Sequence, residues 1–296
     1  MNQTIGFIGL GVLGSAVVKN FVEGGLKVIG CDVSPNAKSN AIEMGVTVVD
    51  YPDQVSDKAD VVFTCLPNAE ALREVLHADH GLLTKKLEGQ CIVEMSTLSI
   101  ADKEAFAAAV IASGREPIDC PVSGNRIMAL NKKLTAFFSG DEAQFHRLNP
   151  VLSMTCGKTH YVGAFGNGIK VKLCGNILNL VHNSVAAEAM VLAMRSGLDP
   201  QMFHEVISGS GSSSAMFEVR GALMVDEDYQ KEAMNMSVPL KDSRIISEHA
   251  ASLYCPLPIY QTALQNYYAA AAQGHVEEDA AAVCRVMERA ANHTRS

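Results

Sequence analysis

Lys172, Asn176, Asn179 and Asn183 follow one another at intervals of four, three and four residues, which puts one ammonium and three amides on a single face if the segment is helical. The remaining positions carry Ile169, Val171, Leu173, Ile177, Leu178, Leu180, Val181 and Val185, so such a helix is apolar nearly all round. A buried lysine beside amides needs partners. Two readings stand at this point. The stripe is the solvent-facing side of an amphipathic helix, with Lys170 and His182 beside it as surface or structural residues. Alternatively, it lines a cleft and supplies a proton-transfer group. An ammonium made more acidic by partial burial can exchange a proton with a substrate oxygen and stabilise a developing alkoxide.

A second constellation opens the chain. The stretch IGFIGLGVLGSAVVKNF sets Gly9, Gly11 and Gly14 in a GxGxxG between an apolar strand pattern and an amphipathic helix pattern. Gly9 makes the tight turn, Gly11 lets the backbone approach a pyrophosphate, and Gly14 lets helix and strand pack closely. Val12 and Leu13 sit at the helix N-terminus, whose unpaired N–H groups attract phosphate, and join the expected cofactor contacts. A following apolar strand, LKVIGCD, ends in Asp32, about twenty residues on, where a carboxylate receives the adenosine ribose hydroxyls. That carboxylate repels a 2′-phosphate, and Val33 to Asn36 include no arginine, so NAD is favoured over NADP; Lys38 is the nearest basic residue.

The elements that position these residues follow from periodicity. Strand-like runs recur at Val46 to Val48, Asp60 to Leu66, Gln90 to Met95, Arg115 to Asp119 and Leu134 to Ser139, with helical patterns between most of them. Strands alternating with helices imply a parallel, doubly wound sheet with ligands beyond the carboxyl ends of its strands. Three of the runs exit into polar residues: Pro67 and Asn68, Ser96 and Thr97, and the stretch CPVSGN at 120–125. Singly, each Ser, Thr or Asn reads as a turn former or helix cap. Their common location points to a cofactor and substrate crevice. From about Tyr161 the strand signals stop. A helix of about 166–196 is expected, then helical patterns broken near Pro200, by GSGSSS at Gly209 to Ser214, at Pro239 and at Pro256 to Pro258. The expected architecture is α/β: a Rossmann-type dinucleotide-binding domain over 1–162, then an all-helical substrate and oligomerisation domain over 163–296 that includes the long interdomain helix.

Composition narrows the class. With 296 residues and 48% hydrophobic content the chain can bury a sizeable core. A net charge of -8 argues against a nucleic-acid partner. The eight cysteines form no CxxC pair and have no histidine cluster nearby, so no metal site and no disulfide framework is expected, and reduced thiols in the cytoplasm are. The chain runs almost at once into its first strand, which leaves no room for a signal peptide, and no apolar run reads as long enough to span a bilayer.

Taken together, these motifs resemble the β-hydroxyacid dehydrogenase family, which contains 3-hydroxyisobutyrate dehydrogenase and tartronate semialdehyde reductase. The resemblance runs through GFIGLGxxG, CLPN at 65–68, MST at 95–97 and DxPVSG at 119–124. It continues through GxxGxGxxxKxxxN, matched by Gly163, Gly166, Gly168, Lys172 and Asn176, then AEAM, GLDP at 197–200, LKD at 240–242 and a late EEDAAAV. It implies that Lys172 is the acid/base and Asn176 orients the substrate. It further implies that Ser123 and Gly124 bind the substrate carboxylate, that Lys241 lies near nicotinamide and substrate, and that Leu66, Pro67, Asn68 and Thr97 contact the cofactor. A small hydroxy acid as substrate and a homodimer or homotetramer are implied as well. The chain departs from the family pattern at Asn125, Arg126, Met128 and Lys132, where further glycines are usual, and at Gly175. Asn125 and Arg126 are therefore candidate substrate contacts: Arg126 either pairs with a second anionic group or points into solvent. An imine reductase-like enzyme and a non-catalytic dinucleotide-binding module are the alternatives, both disfavoured by the intact Lys172 and Asn176.

Overall fold

A computed structural model of the chain describes residues 3–230 and 235–295. Packing divides the chain into two compact units, Met1–Lys172 and Leu173–Ser296. The division falls ten residues beyond the 162/163 boundary expected from composition, inside the long helix.

The first unit starts with β1 (Thr4–Ile8), α1 (Val12–Glu23), β2 (Lys27–Cys31), α2 (Pro35–Glu43), β3 (Thr47–Val48) and α3 (Pro52–Ser56). It continues through β4 (Val61–Thr64), α4 (Ala69–His77), β5 (Cys91–Glu94), α5 (Ile100–Ala112) and β6 (Glu116–Asp119). All six strands run parallel in the order β3-β2-β1-β4-β5-β6. The order reverses between β1 and β4, and a crevice opens at the carboxyl ends of the strands beside such a switch point. Strands β4 and β5 are buried along their whole length, as expected of a sheet covered on both faces. On one face Phe7, Phe21 and Phe63 pack together, with the Phe7 and Phe63 rings stacked at 6.1 Å. On the other, Ile8, Val62 and Ile92 pack with Leu72, Leu76 and Phe106 of α4 and α5.

The run at Leu134 to Ser139 belongs to a different sheet from the one expected. Next come β7 (Val122–Ser123), α6 (Arg126–Leu130), β8 (Leu134–Phe138), α7 (Glu142–Leu152) and β9 (Cys156–Tyr161), and the strands form a separate three-stranded sheet, β7-β8-β9. The reason is connection length. A parallel neighbour needs a crossover of about a dozen residues or more; the link from β7 to β8 holds only the five-residue α6, so β8 pairs with β7 antiparallel. Strand β9, rich in polar residues and largely solvent-facing, carries no apolar run to announce it.

Helix α8 (Asn167–Arg195) closes the first unit and begins the second. Contrary to the expectation from apolar runs, its 29 residues are long and apolar enough, by length and composition alone, to cross a membrane; its best window has mean hydropathy 1.4 and is half buried within the protein. The four polar residues of the stripe interrupt the run without lowering that average enough. In the second unit follow α9 (Pro200–Ile207), α10 (Ala215–Asp226), α11 (Ser237–Ser252), α12 (Pro258–Ala272) and α13 (Val283–Ala290). Pro200 and Pro258 stand at the first position of their helices, where proline loses no hydrogen bond. The GSGSSS stretch joins α9 to α10, and Ser214, its last residue, caps α10.

Candidate active site

The three glycines of the first turn divide their labour as the fingerprint requires. Gly9 has φ +96°, and a Cβ there would come within 2.2 Å of the Cys65 carbonyl oxygen; a Cβ on Gly14 would come within 2.0 Å of the Gly9 carbonyl oxygen. Nothing lies within 4 Å of a Cβ on Gly11. Space over Gly11 is therefore open where the other two are filled by protein. Gly11 is also the N-cap of α1, so no side chain occupies the first amides, at Val12 and Leu13. Helices α2, α4, α5 and α7 differ: Ser34, Asn68, Ser99 and Asp141 cap them. The first amides of α1 thus carry no side-chain cap and face open space over Gly11, as a phosphate site would require.

Asp32, at the end of β2, ties this loop down. One carboxylate oxygen accepts from Leu10 N–H at 2.6 Å and the other from Ser34 N–H at 2.7 Å. Each oxygen keeps acceptor capacity for a ribose hydroxyl. These residues fit a dinucleotide.

The polar strand exits have distinct local duties. Asn68 accepts from Ala71 N–H as the cap of α4, and Asn125 accepts from Met128 N–H as the cap of α6. Ser96 accepts from Leu66 N–H at 2.8 Å, which fixes the exit of β4 against that of β5. Pro67 is exposed and Thr97 half-buried. Ser123 ends β7 opposite Thr135, and Gly124 turns away with φ +128°, a conformation that favours glycine. Ser123, Gly124, Asn125 and Arg126 thus form one short corner, with Arg126 half-buried at the start of α6.

The stripe on α8 does not face solvent. Lys172 is 8% exposed and Asn183 fully buried, while Lys170 and His182, off the stripe, are exposed. Asn183 is structural: its amide donates to the Tyr267 hydroxyl at 2.7 Å and the Ala280 carbonyl at 2.9 Å. In the second unit Asn176 donates to Asp242 Oδ2 at 2.7 Å, and Lys241 pairs with Asp242 Oδ1 at 3.3 Å. Asp242 thus joins two residues expected at the site; it closes the LKD motif at 240–242, although no role of its own is expected of it there. In the first unit the start of α8 is held from β6. Asp119 Oδ2 accepts from Ile169 N–H at 2.8 Å, and Ser139 Oγ accepts from Gly168 N–H at 3.0 Å. Lys172 follows Ile169 by one helical turn, so it rises from the carboxyl end of the parallel sheet. Among the described residues no group of three or more His, Cys, Asp or Glu is placed to hold a metal ion.

Residues 4–163 match the model of the NAD binding domain of 6-phosphogluconate dehydrogenase, and residues 166–287 match that of the NAD-binding region of NADP-dependent 3-hydroxyisobutyrate dehydrogenase. L-threonate dehydrogenase of Escherichia coli K12 is 32% identical over 95% of this chain and 94% of its own length. The 2-hydroxy-3-oxopropionate reductase of the same strain is 29% identical over 98% of each. The crystal structure of 3-hydroxyisobutyrate dehydrogenase from Salmonella typhimurium superposes with a TM-score of 0.85 at 31% identity, covering 96% of this chain and 99% of that one.

Proposed function

We propose, from the premise that the chain belongs to the β-hydroxyacid dehydrogenase family and is an NAD(P)-dependent oxidoreductase acting on CH–OH groups, that it interconverts a small hydroxy acid and its carbonyl form with NAD and that Lys172 is the acid/base. The observation that carries this reading is the burial of Lys172 one turn beyond the anchor of α8 on Asp119, at the carboxyl end of the dinucleotide sheet. A lysine is removed from water at a cost, and a site that must move a proton at a substrate oxygen accounts for it.

The bound dinucleotide supplies the hydride acceptor or donor. In oxidation, Lys172 takes the hydroxyl proton; in reduction, its ammonium returns that proton to the carbonyl oxygen. Asn176, held by Asp242, orients the reacting oxygen, and Lys241 carries positive charge beside it. Ser123 and Gly124 bind the substrate carboxylate through a hydroxyl and a backbone N–H, Asn125 and Arg126 complete that corner, and on this reading Arg126 pairs with a second anionic group of the substrate. Gly9, Gly11, Val12, Leu13 and Gly14 cradle the pyrophosphate, Asp32 receives the ribose hydroxyls, and Leu66, Pro67, Asn68 and Thr97 border the cofactor. The carboxylate of Asp32, with exposed Val33 after it and no arginine before Lys38, supports NAD over NADP.

Two features bear on assembly and location. Val171, Leu178, Val185 and Leu192 recur every seven residues on α8 and are 38%, 56%, 52% and 69% exposed, an apolar stripe suited to a second copy in a homodimer or homotetramer. All eight cysteines are free thiols, in keeping with the reducing cytoplasm.

A panel of small mono- and di-anionic hydroxy acids, assayed with NAD and NADP in parallel by absorbance of the reduced nicotinamide, tests the reading. Turnover of hydroxy acids with NAD is expected. Turnover confined to cyclic imines with NADPH would transfer the chain to imine reduction, and none with any substrate would leave a binding module.

A further inference from the structure

Glu94 and Asp119 end β5 and β6 as direct register partners, and both are fully buried. Two carboxylates side by side in a protein interior repel each other, and a cation must join them for both to stay charged. Lys103, from the first turns of α5 and equally buried, does so. Its ammonium pairs with Glu94 Oε2, with Asp119 Oδ1 at 2.8 Å and with the Glu94 carbonyl oxygen at 3.3 Å. Burial by itself depresses the ionisation of this lysine, but the two carboxylates outweigh it and hold the ammonium above its ordinary value.

The outer oxygens of the two acids reach in different directions. Glu94 Oε1 accepts from Ser96 N–H at 2.9 Å, and Ser96 in turn accepts from Leu66 N–H at the exit of β4. Asp119 Oδ2 accepts from Ile169 N–H and from the Ser139 hydroxyl, which itself accepts from Gly168 N–H. The second negative charge thus rests on the positive end of the 29-residue α8. Contact is close: a Cβ on Gly168 would come within 2.5 Å of the Phe137 carbonyl oxygen and 2.9 Å of Asp119 Oδ2. None of the three charged groups is accessible to a substrate.

We propose that Lys103, Glu94 and Asp119 are positioning residues that lock the exit of β4 at Leu66 and the first turn of α8 into one frame, and so set the place of Lys172 against the bound dinucleotide. This rests on the reading of Lys172 as the acid/base. From Ile169 to Lys172 the helix rises about 4.5 Å, so a tilt or rotation released at Ile169 reaches the Lys172 backbone undiminished. A displacement of about 1 Å at a reacting group costs on the order of a hundredfold in rate. A purely structural role would lower stability and leave the turnover of the folded enzyme alone.

The test is a double-mutant cycle on the full-length protein. Lys103→Met removes the cation; Ser139→Ala keeps all three charges, removes the partner of Gly168 N–H, and is the variant read if Lys103→Met fails to fold. Each is made in the wild-type and the Lys172→Ala backgrounds, with kcat, KM and NADH affinity by fluorescence. Expected is a fall in kcat of tenfold or more for Lys103→Met and severalfold for Ser139→Ala in the wild-type background, with KM for the acid changed less. In the Lys172→Ala background both effects should shrink to twofold or less. An equal loss in both backgrounds, or a lowered melting temperature with kcat intact, overturns the proposal. Near-normal turnover of Lys172→Ala alone would remove the acid/base reading first and this proposal with it, and that failure is visible in the single variant.

Discussion

Asn176 donates its amide hydrogen to Asp242 Oδ2 at 2.7 Å, and this one carboxylate also pairs with Lys241. A residue proposed to orient substrate is thus itself oriented by a buried charge. Asp242→Asn offers an amide in place of two anionic oxygens, removes the charge that Lys241 pairs with at Oδ1 and lets Asn176 turn. A charge-assisted hydrogen bond contributes about 1.5–3 kcal/mol, so kcat/KM for the hydroxy acid is expected to fall by roughly ten- to a hundredfold. Steady-state kinetics of Asp242→Asn check this, and an unchanged kcat/KM would remove Asp242 from the site.

The glycine loop gives a pair of variants that separate folding from binding. A Cβ on Gly14 would collide with the Gly9 carbonyl oxygen, whereas a Cβ on Gly11 meets no protein atom within 4 Å. Gly14→Ala should therefore lower the melting temperature by several degrees. Gly11→Ala should leave it unchanged yet weaken NADH binding tenfold or more, because the methyl group occupies the room left for the pyrophosphate. Thermal melts with and without NADH decide it; tight binding by Gly11→Ala would place the phosphates elsewhere.

Much of this was legible in the sequence, and the reasons differ by element. The glycine loop, Asp32 and the strand exits are local patterns whose physics is contained within a few residues, and α8 is announced by its long helical period. The second sheet was not legible, because whether β8 joins β6 or pairs with β7 depends on the short connection through α6. The Lys103, Glu94 and Asp119 cluster escaped for a related reason. Glu94 inside an otherwise apolar strand signals a missing partner, but Lys103 sits in a helix where a lysine reads as surface, and only the fold brings it inward. Asn125 and Asn68 show the converse, since both cap helices as isolated polar residues commonly do.

Alkaline stability follows from the buried thiols. Burial pushes Cys31 up to about 11 and Cys91, Cys156 and Cys284 up to about 12, against an ordinary value of 9.0. Above pH 9 the unfolded chain loses these protons while the folded one keeps them, so stability is fully present below pH 9 and falls as pH rises toward the folded values. The unfolded thiols are half ionised at pH 9 and the slope approaches about 1.4 kcal/mol per group per pH unit above it, so the four lose roughly 4 kcal/mol between pH 9 and pH 10. Urea melts followed by circular dichroism from pH 8 to 10.5 should show a steep decline beginning near pH 9; a profile flat to pH 10 contradicts it.

The two exposed thiols report on assembly. Cys174 lies three residues after Val171 on α8, alongside the apolar stripe, and Cys255 lies between α11 and α12. Iodoacetamide labelling read by mass spectrometry should modify Cys255 rapidly at any protein concentration. Cys174 should be slow at micromolar concentration and fast once Leu178→Glu has driven the protein to a monomer by light scattering. Equal rates at both thiols in the wild type would move the contact between copies away from α8.

Lys172 is proposed to move the substrate proton and not to hold the cofactor. This role is tested most directly by Lys172→Ala, with turnover of the best hydroxy acid and NADH affinity measured on the same preparation. The expected result is a fall in kcat of at least a thousandfold with NADH affinity within threefold of wild type. Near-normal kcat, or a loss of activity explained by lost NADH binding, would contradict it.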